Sequence, residues 1–144
     1  MKVKVINHSG NPLPSYETTG SAGMDLRASL EKTIELQPLE RHLIPTGIHI
    51  ELPDGYEAQV RPRSGLAVKQ GLSVLNSPGT IDSDYRGEIM VILINLSNEV
   101  QKVQNGDRIA QMVVAPFIQV ELEEGLGLAQ SERGTGGFGH TGTN

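Results

Sequence analysis

Hydrophobic and polar residues alternate with a period of two along much of the chain. KVKVI, near the start, sets lysines against valines, and TGIHIEL places Ile48, Ile50 and Leu52 on one side of an extended backbone. YEAQVRP resumes the alternation after a Pro53-Asp54-Gly55 turn, and Val100 to Val103 adds a short piece. A period of two marks a strand with one face in a core. Two denser apolar runs, EIMVILIN from Glu88 to Asn95 and RIAQMVVAPF from Arg108 to Phe117, are short and rich in β-branched residues. They predict strands buried on both faces rather than helices. Turn residues interrupt the strands at Pro53-Asp54-Gly55, Ser77-Pro78-Gly79 and Asn105-Gly106-Asp107. The pattern predicts an all-β sandwich or barrel of jelly-roll type.

One segment departs from it. In PRSGLAVKQGL, Ser64 is placed to cap a short helix running from Leu66 to Gln70, and Gly71 to end it in the left-handed conformation. Free amides at Gly65 and Leu66, with Arg63 beside them, would favour an anion such as a phosphate. The plainer alternative makes Ser64 only a cap, and Arg61 and Arg63 only a solvated strand edge.

Polar residues inside apolar context supply the remaining candidates. In NSPGTIDSDYRGE an extended chain would put Asp82 and Asp84 on one side and Ile81 and Tyr85 on the other, unless a twist or bulge intervenes. Two carboxylates on one face suit a water or a hydrated cation; the alternative is a polar strand end with Asp84 paired to Arg86 or to another arginine. Gln111, in GDRIAQ, stands in an apolar strand where a buried amide needs partners, backbone groups among them. Asp25, in SAGMDLRA, lies between apolar neighbours after a glycine, and a carboxylate holding a turn would account for it.

Composition narrows the class. A chain of 144 residues fits one domain with its own core, and with no cysteine it has neither disulfides nor a thiolate metal site. A net charge of -5 argues against a protein that coats nucleic acid, though not against a local basic pocket. The opening MKVKVINHSGNPLPSYETTG lacks the apolar run of a signal peptide, and no stretch is apolar enough to span a membrane, so a cytoplasmic protein is expected. Tryptophan is absent and phenylalanine occurs twice. The core therefore rests on Val, Ile and Leu, and RGTGGFGHTG, from Arg133 to Gly142, stands out because it places a phenylalanine among five glycines. Such a stretch loses much backbone entropy on ordering, so it should order only over a bound partner.

Taken in order, AGMDLRA, PRSGLA, GTIDSDYRG, GDRIAQ and RGTGGFGHTG closely resemble the five motifs of the trimeric deoxyuridine triphosphate nucleotidohydrolases, the dUTPases, from Ala22 to Gly142. The resemblance implies a homotrimer of jelly-roll-like β-barrels with one short helix. Residues 1–130 would form the barrel, and residues 131–144 a mobile arm exchanged between subunits, closing a neighbouring active site. ELEEGLGLAQ, from Glu121 to Gln130, would be the linker to it. The implied reaction is cleavage of dUTP to dUMP and pyrophosphate with Mg2+, which limits uracil in DNA and supplies the dTMP precursor.

The same resemblance implies the roles. Asp82 would be the general base for the attacking water. Tyr85 would pack against the deoxyribose and exclude a 2′-hydroxyl. The hairpin from Asn76 to Tyr85, with Gly79 and Ile81, would recognise uracil, Asn76 directly. Arg63, Ser64 and Gly65 would hold phosphate oxygens and Gln111 would contact them from its strand. Asp25 would act on the water shell of a magnesium ion held mainly by the triphosphate. Arg133 would bring charge late, Phe138 would stack over uracil, and Gly139, His140 and Thr141 would meet the phosphates. Two alternatives share the fold: a dCTP deaminase, and a trimeric nucleotide-binding module without chemistry. The tail also holds GxGxxG at Gly134, Gly136 and Gly139, but no βαβ unit has room to form around it.

Overall fold

The alternating segments become strands where their apolar side has a core to face. A computed structural model describes residues 1–137. In chain order the elements are β1 (Lys4–Asn7), β2 (Met24–Arg27), β3 (Ile34–Leu36), β4 (Arg41–Glu51), β5 (Tyr56–Arg61), α1 (Ser64–Gln70), β6 (Leu72–Val74), β7 (Gly79–Ile81), β8 (Ile89–Asn95), β9 (Gln101–Val103) and β10 (Arg108–Pro116). They pair as two four-stranded sheets, ordered β1-β4-β8-β6 and β2-β10-β5-β7, and a ribbon of β3 with β9. All these pairings are antiparallel. The fold is all-β with one short helix, as the pattern predicts, in the double-sheet form; the hydrogen-bonded ladders stop short of closing a barrel.

Between the sheets lies an aliphatic core. Leu26, Leu36, Ile44, Leu72, Ile89 and Leu93 are its largest fully buried side chains. Ile48, Ile50 and Leu52 are buried together as their alternation requires. Burying each such side chain stabilises the fold by about 1.5–3 kcal/mol.

The two dense apolar runs depart from expectation. On β8, Ile89, Val91, Leu93 and Asn95 are buried, but Met90 is exposed and Ile92 and Ile94 are half-buried. On β10, Ile109, Ala110 and Met112 are buried while Val113 to Ala115 are half-open. Each strand has one core face; a single chain supplies no second layer over the other.

Strand β4 bends at an irregularity between Pro45 and Ile48. Gly47 takes φ 68° there, and a Cβ on it would lie 2.6 Å from the Ser9 backbone nitrogen, so glycine is needed both for the turn and for the approach. The Thr46 and Gly47 amides, released from the ladder, donate to Glu88 Oε1 at 3.1 and 2.7 Å. Strand β1 is exposed at every position. Beside it runs an apolar groove of about 240 Å³ lined by Val3, Val5, Leu13, Tyr16, Ile50 and Val114. Residues 117–130 form neither strand nor helix, and Ile118, Val120 and Leu122 on them are exposed. Among the described residues no helix is long and apolar enough to cross a membrane.

Candidate active site

Sheet β2-β10-β5-β7 gathers candidate residues from distant parts of the chain. Its register sets Gln111 opposite Asp25 on β2 and opposite Arg61 on β5. Gly23 packs beside the glutamine: a Cβ there would meet Gln111 Cβ at 3.5 Å, an ordinary contact. Past Arg61 the chain leaves the sheet and turns into α1.

The start of α1 corrects the expectation for Ser64. Arg63, extended at φ -93° and ψ 125°, is the N-cap, and no side chain caps the helix. The Arg63 carbonyl accepts the first helical bond, from Ala67 N at 3.0 Å, which makes Ser64 the first helical residue. Its hydroxyl is exposed, as is Gly65. Gly71 ends the helix at φ 65° in the left-handed conformation, as expected.

Arg63 is no solvated edge, and Asp25 holds no turn. Asp25 is 8% exposed, on β2, and receives Arg63 Nε on Oδ1 at 3.0 Å and Arg108 Nη1 on Oδ2 at 3.1 Å. Arg63 Nη1 also donates to the Arg108 carbonyl at 3.0 Å, and Arg108 Nη1 to Glu17 Oε1 at 3.2 Å. One carboxylate thus orients two guanidinium groups. The fork of Arg63 retains donors for an anion beside the exposed Ser64 and Gly65. Arg108 was not singled out in the sequence; its only signal was its place in GDRIAQ, three residues before Gln111.

The second group of candidates lies on the connection after β6, which is not the expected hairpin: β6 pairs with β8 and β7 with β5, so the chain crosses from one sheet to the other there. Strand β7 pairs with β5 through Val60↔Gly79, Gln59↔Thr80 and Ala58↔Ile81, after a turn with a cis Ser77–Pro78 bond. Gly79 is buried, and a Cβ on it would lie 3.2 Å from Asn76 Nδ2, so the bare backbone lets the amide lie against the strand. Asn76 is itself exposed.

Strand β7 ends at Ile81, so Asp82 and Asp84 are not alternating strand residues. Tyr85 N bonds to Asp82 O at 3.2 Å and Arg86 Nη1 to Ser83 O at 2.6 Å, which reverses the chain into a turn. Both carboxylates line one depression with Asp54 and Glu57. The expected Asp84–Arg86 pair does not form; the ion pairs among the described residues engage Glu17, Asp25, Glu35 and Glu51 instead. Asp82 is also at the wall of a cleft of about 300 Å³ that includes Ile81 and Tyr85. The Tyr85 hydroxyl donates to the Glu88 carbonyl at 3.0 Å, fixing the ring there.

The cleft beside Arg63 and Arg108 shares no lining residue with that of Asp82 and Tyr85. Arg133 keeps to its own turn, donating from Nε to the Gly136 carbonyl at 2.7 Å. Phe138, Gly139, His140 and Thr141 lie outside the described residues.

A family model described as dUTPase matches residues 9–142. The chain belongs to the dUTPase family. It is 58% identical over 142 residues to the deoxyuridine 5′-triphosphate nucleotidohydrolase of Finegoldia magna, covering 99% of both chains. To the protein of the same name from Fusobacterium nucleatum it is 55% identical, covering 99% of this chain and 97% of that one. Among solved structures, a Staphylococcus bacteriophage 80alpha dUTPase with dUpNHpp aligns over 99% of both chains with a TM-score of 0.88 at 26% identity. The family's match extends across both residue groups and into the tail, so all five motifs fall within it.

Proposed function

We propose that the protein is a dUTP diphosphatase, hydrolysing dUTP to dUMP and pyrophosphate by in-line attack of a water on the α-phosphorus. The observation that carries this reading is the position of Asp82: an exposed carboxylate outside any described ion pair, one residue beyond the end of β7 and at the wall of the same cleft as Tyr85. A base held at a sugar-sized cleft next to a base-reading strand can take a proton from water near the 5′ end of a nucleoside. Uracil lies along β7, where Gly79 brings the backbone close and Asn76 presents its amide. The ribose face rests on Tyr85.

Phosphoryl transfer depends on aligning the water and spreading negative charge over donors. Arg63, the Ser64 hydroxyl, the Gly65 amide and Gln111 serve the phosphates, Arg63 in the orientation that Asp25 imposes. Magnesium fits these residues as an ion carried by the triphosphate, since no cluster of three metal-binding side chains occurs among the described residues. Each Asp25 oxygen keeps a lone pair after its arginine bond, free to accept from the ion's water shell. An ion held there would supply neutralisation of phosphate charge.

That the two clefts share no lining residue favours sites shared between subunits of a homotrimer. Arg63, Ser64 and Gln111 of one chain meet Asp82 and Tyr85 of the next, and residues 131–144 of a chain close over the composite site with Arg133, Phe138, Gly139, His140 and Thr141. The exposed Ile118, Val120 and Leu122 support an exchanged arm, because they lack a core in their own chain. Incubation with magnesium and dUTP, dCTP, dTTP or UTP tests the function: pyrophosphate from dUTP alone is expected. Ammonia from dCTP, or binding without turnover, would replace this reading by a deaminase or a binding module.

A further inference from the structure

Gly87 does not serve the backbone. Its φ lies outside the left-handed region that the structure's turn glycines adopt, so φ does not itself demand glycine. The constraint is space. A Cβ at Gly87 would lie 2.2 Å from the Tyr85 hydroxyl, 2.4 Å from Cζ and 2.8 Å from Cε2, and these three closest contacts all belong to one ring.

The backbone under that ring is tethered on both sides of Gly87. The Arg86 carbonyl bonds with His49 Nδ1 at 3.1 Å, and Glu88 Oε1 receives the Thr46 and Gly47 amides. Both anchors belong to β4, so the platform is fixed to the sheet while the ring is fixed to the platform through the Tyr85 hydroxyl and the Glu88 carbonyl. A methyl group at position 87 has one outlet: displacement of the Tyr85 ring from its bed.

We propose that Gly87 is a positioning residue for sugar selection, holding the Tyr85 ring flat against the turn so that its face closes the space a 2′-hydroxyl would need. The proposal rests on the reading of Tyr85 as the surface beneath the deoxyribose. Gly87 touches no substrate; it acts through the ring.

The test compares kcat/KM for dUTP and for UTP in four proteins with magnesium: wild type, Tyr85→Ala, Gly87→Ala and the double variant, each with its thermal midpoint. Gly87→Ala is expected to lower the dUTP-over-UTP ratio roughly tenfold, about as much as Tyr85→Ala, with little change in midpoint. In the Tyr85→Ala background, Gly87→Ala is expected to change the ratio no further, because the ring it acts on is gone. If Tyr85→Ala lowers the ratio and Gly87→Ala leaves it, the role of Gly87 is overturned and that of Tyr85 stands. An undiminished ratio in Tyr85→Ala overturns the underlying reading of the sugar contact. Equal, additive losses in the double variant would also overturn the proposal, since Gly87 would then act independently of the ring.

Discussion

The Nε of Arg63 donates to Oδ1 of Asp25 across 3.0 Å, tying the residue ahead of α1 to the buried strand β2. Two residues far apart in sequence thereby hold one guanidinium in place before any phosphate arrives. Preorganisation of this kind removes a rotamer cost from binding.

Replacing Asp25 by Asn tests that arrangement. An amide accepts through its oxygen alone, and its nitrogen would present a donor to one of two arginine donors. Because Arg63 and Arg108 side chains are 25% and 41% exposed, solvent softens the loss. The expected cost is about 2 kcal/mol in urea unfolding, with a raised KM for dUTP. Unchanged stability and KM would remove Asp25 from this role.

Ser64→Ala separates the observed helix start from the one expected. A serine cap is worth about 1 kcal/mol. Since Arg63 occupies the cap position and no side chain caps α1, loss of the Ser64 hydroxyl should alter stability by less than about 0.5 kcal/mol. Turnover should nevertheless fall if the hydroxyl serves phosphate as proposed. Urea titration and pyrophosphate release read the two effects independently.

Glu88 should behave in the opposite way, as a structural anchor. Its Oε1 satisfies two amides that the bend in β4 leaves outside the ladder. Truncation in Glu88→Ala orphans both, at an expected cost of about 2–3 kcal/mol in unfolding free energy. Glu88→Gln retains the accepting oxygen and should recover most of it. Equal losses in the two variants would show that charge, not acceptance, matters there.

Much of the fold was legible because its signals are local. Ile48, Ile50 and Leu52 alternate along a strand, and Gly71 ends a helix in the one conformation glycine takes freely. The failures are those of distance. Nothing near Asp25 in sequence announces Arg108, which reaches it from β10, and nothing near EIMVILIN says which of its faces has a layer above it. Asp82 and Asp84 would share a face only on an extended chain, and the turn that prevents it, with Arg86 bonding back to Ser83, begins where β7 ends. The resemblance implies sites assembled from more than one chain, but which residues line which cleft emerges only in three dimensions.

The proposed exchange of the arm between subunits makes the sharpest prediction. Asp82→Asn removes the proposed base and should lower kcat by about 10²–10⁴-fold without affecting stability, since Asp82 is exposed. Arg133→Ala should lower kcat by orders of magnitude as well, by withdrawing charge from the transition state. If Asp82 and Arg133 of one site come from different chains, mixing the two inactive proteins repairs some sites. Co-refolding equal amounts from urea distributes subunits at random, so a site with Asp82 from one variant and Arg133 from the other forms in about one quarter of positions. Pyrophosphate release should recover to roughly a quarter of the wild-type rate. A mixture as inactive as its components, in trimers shown to have exchanged subunits, would place both residues of each site on the same chain.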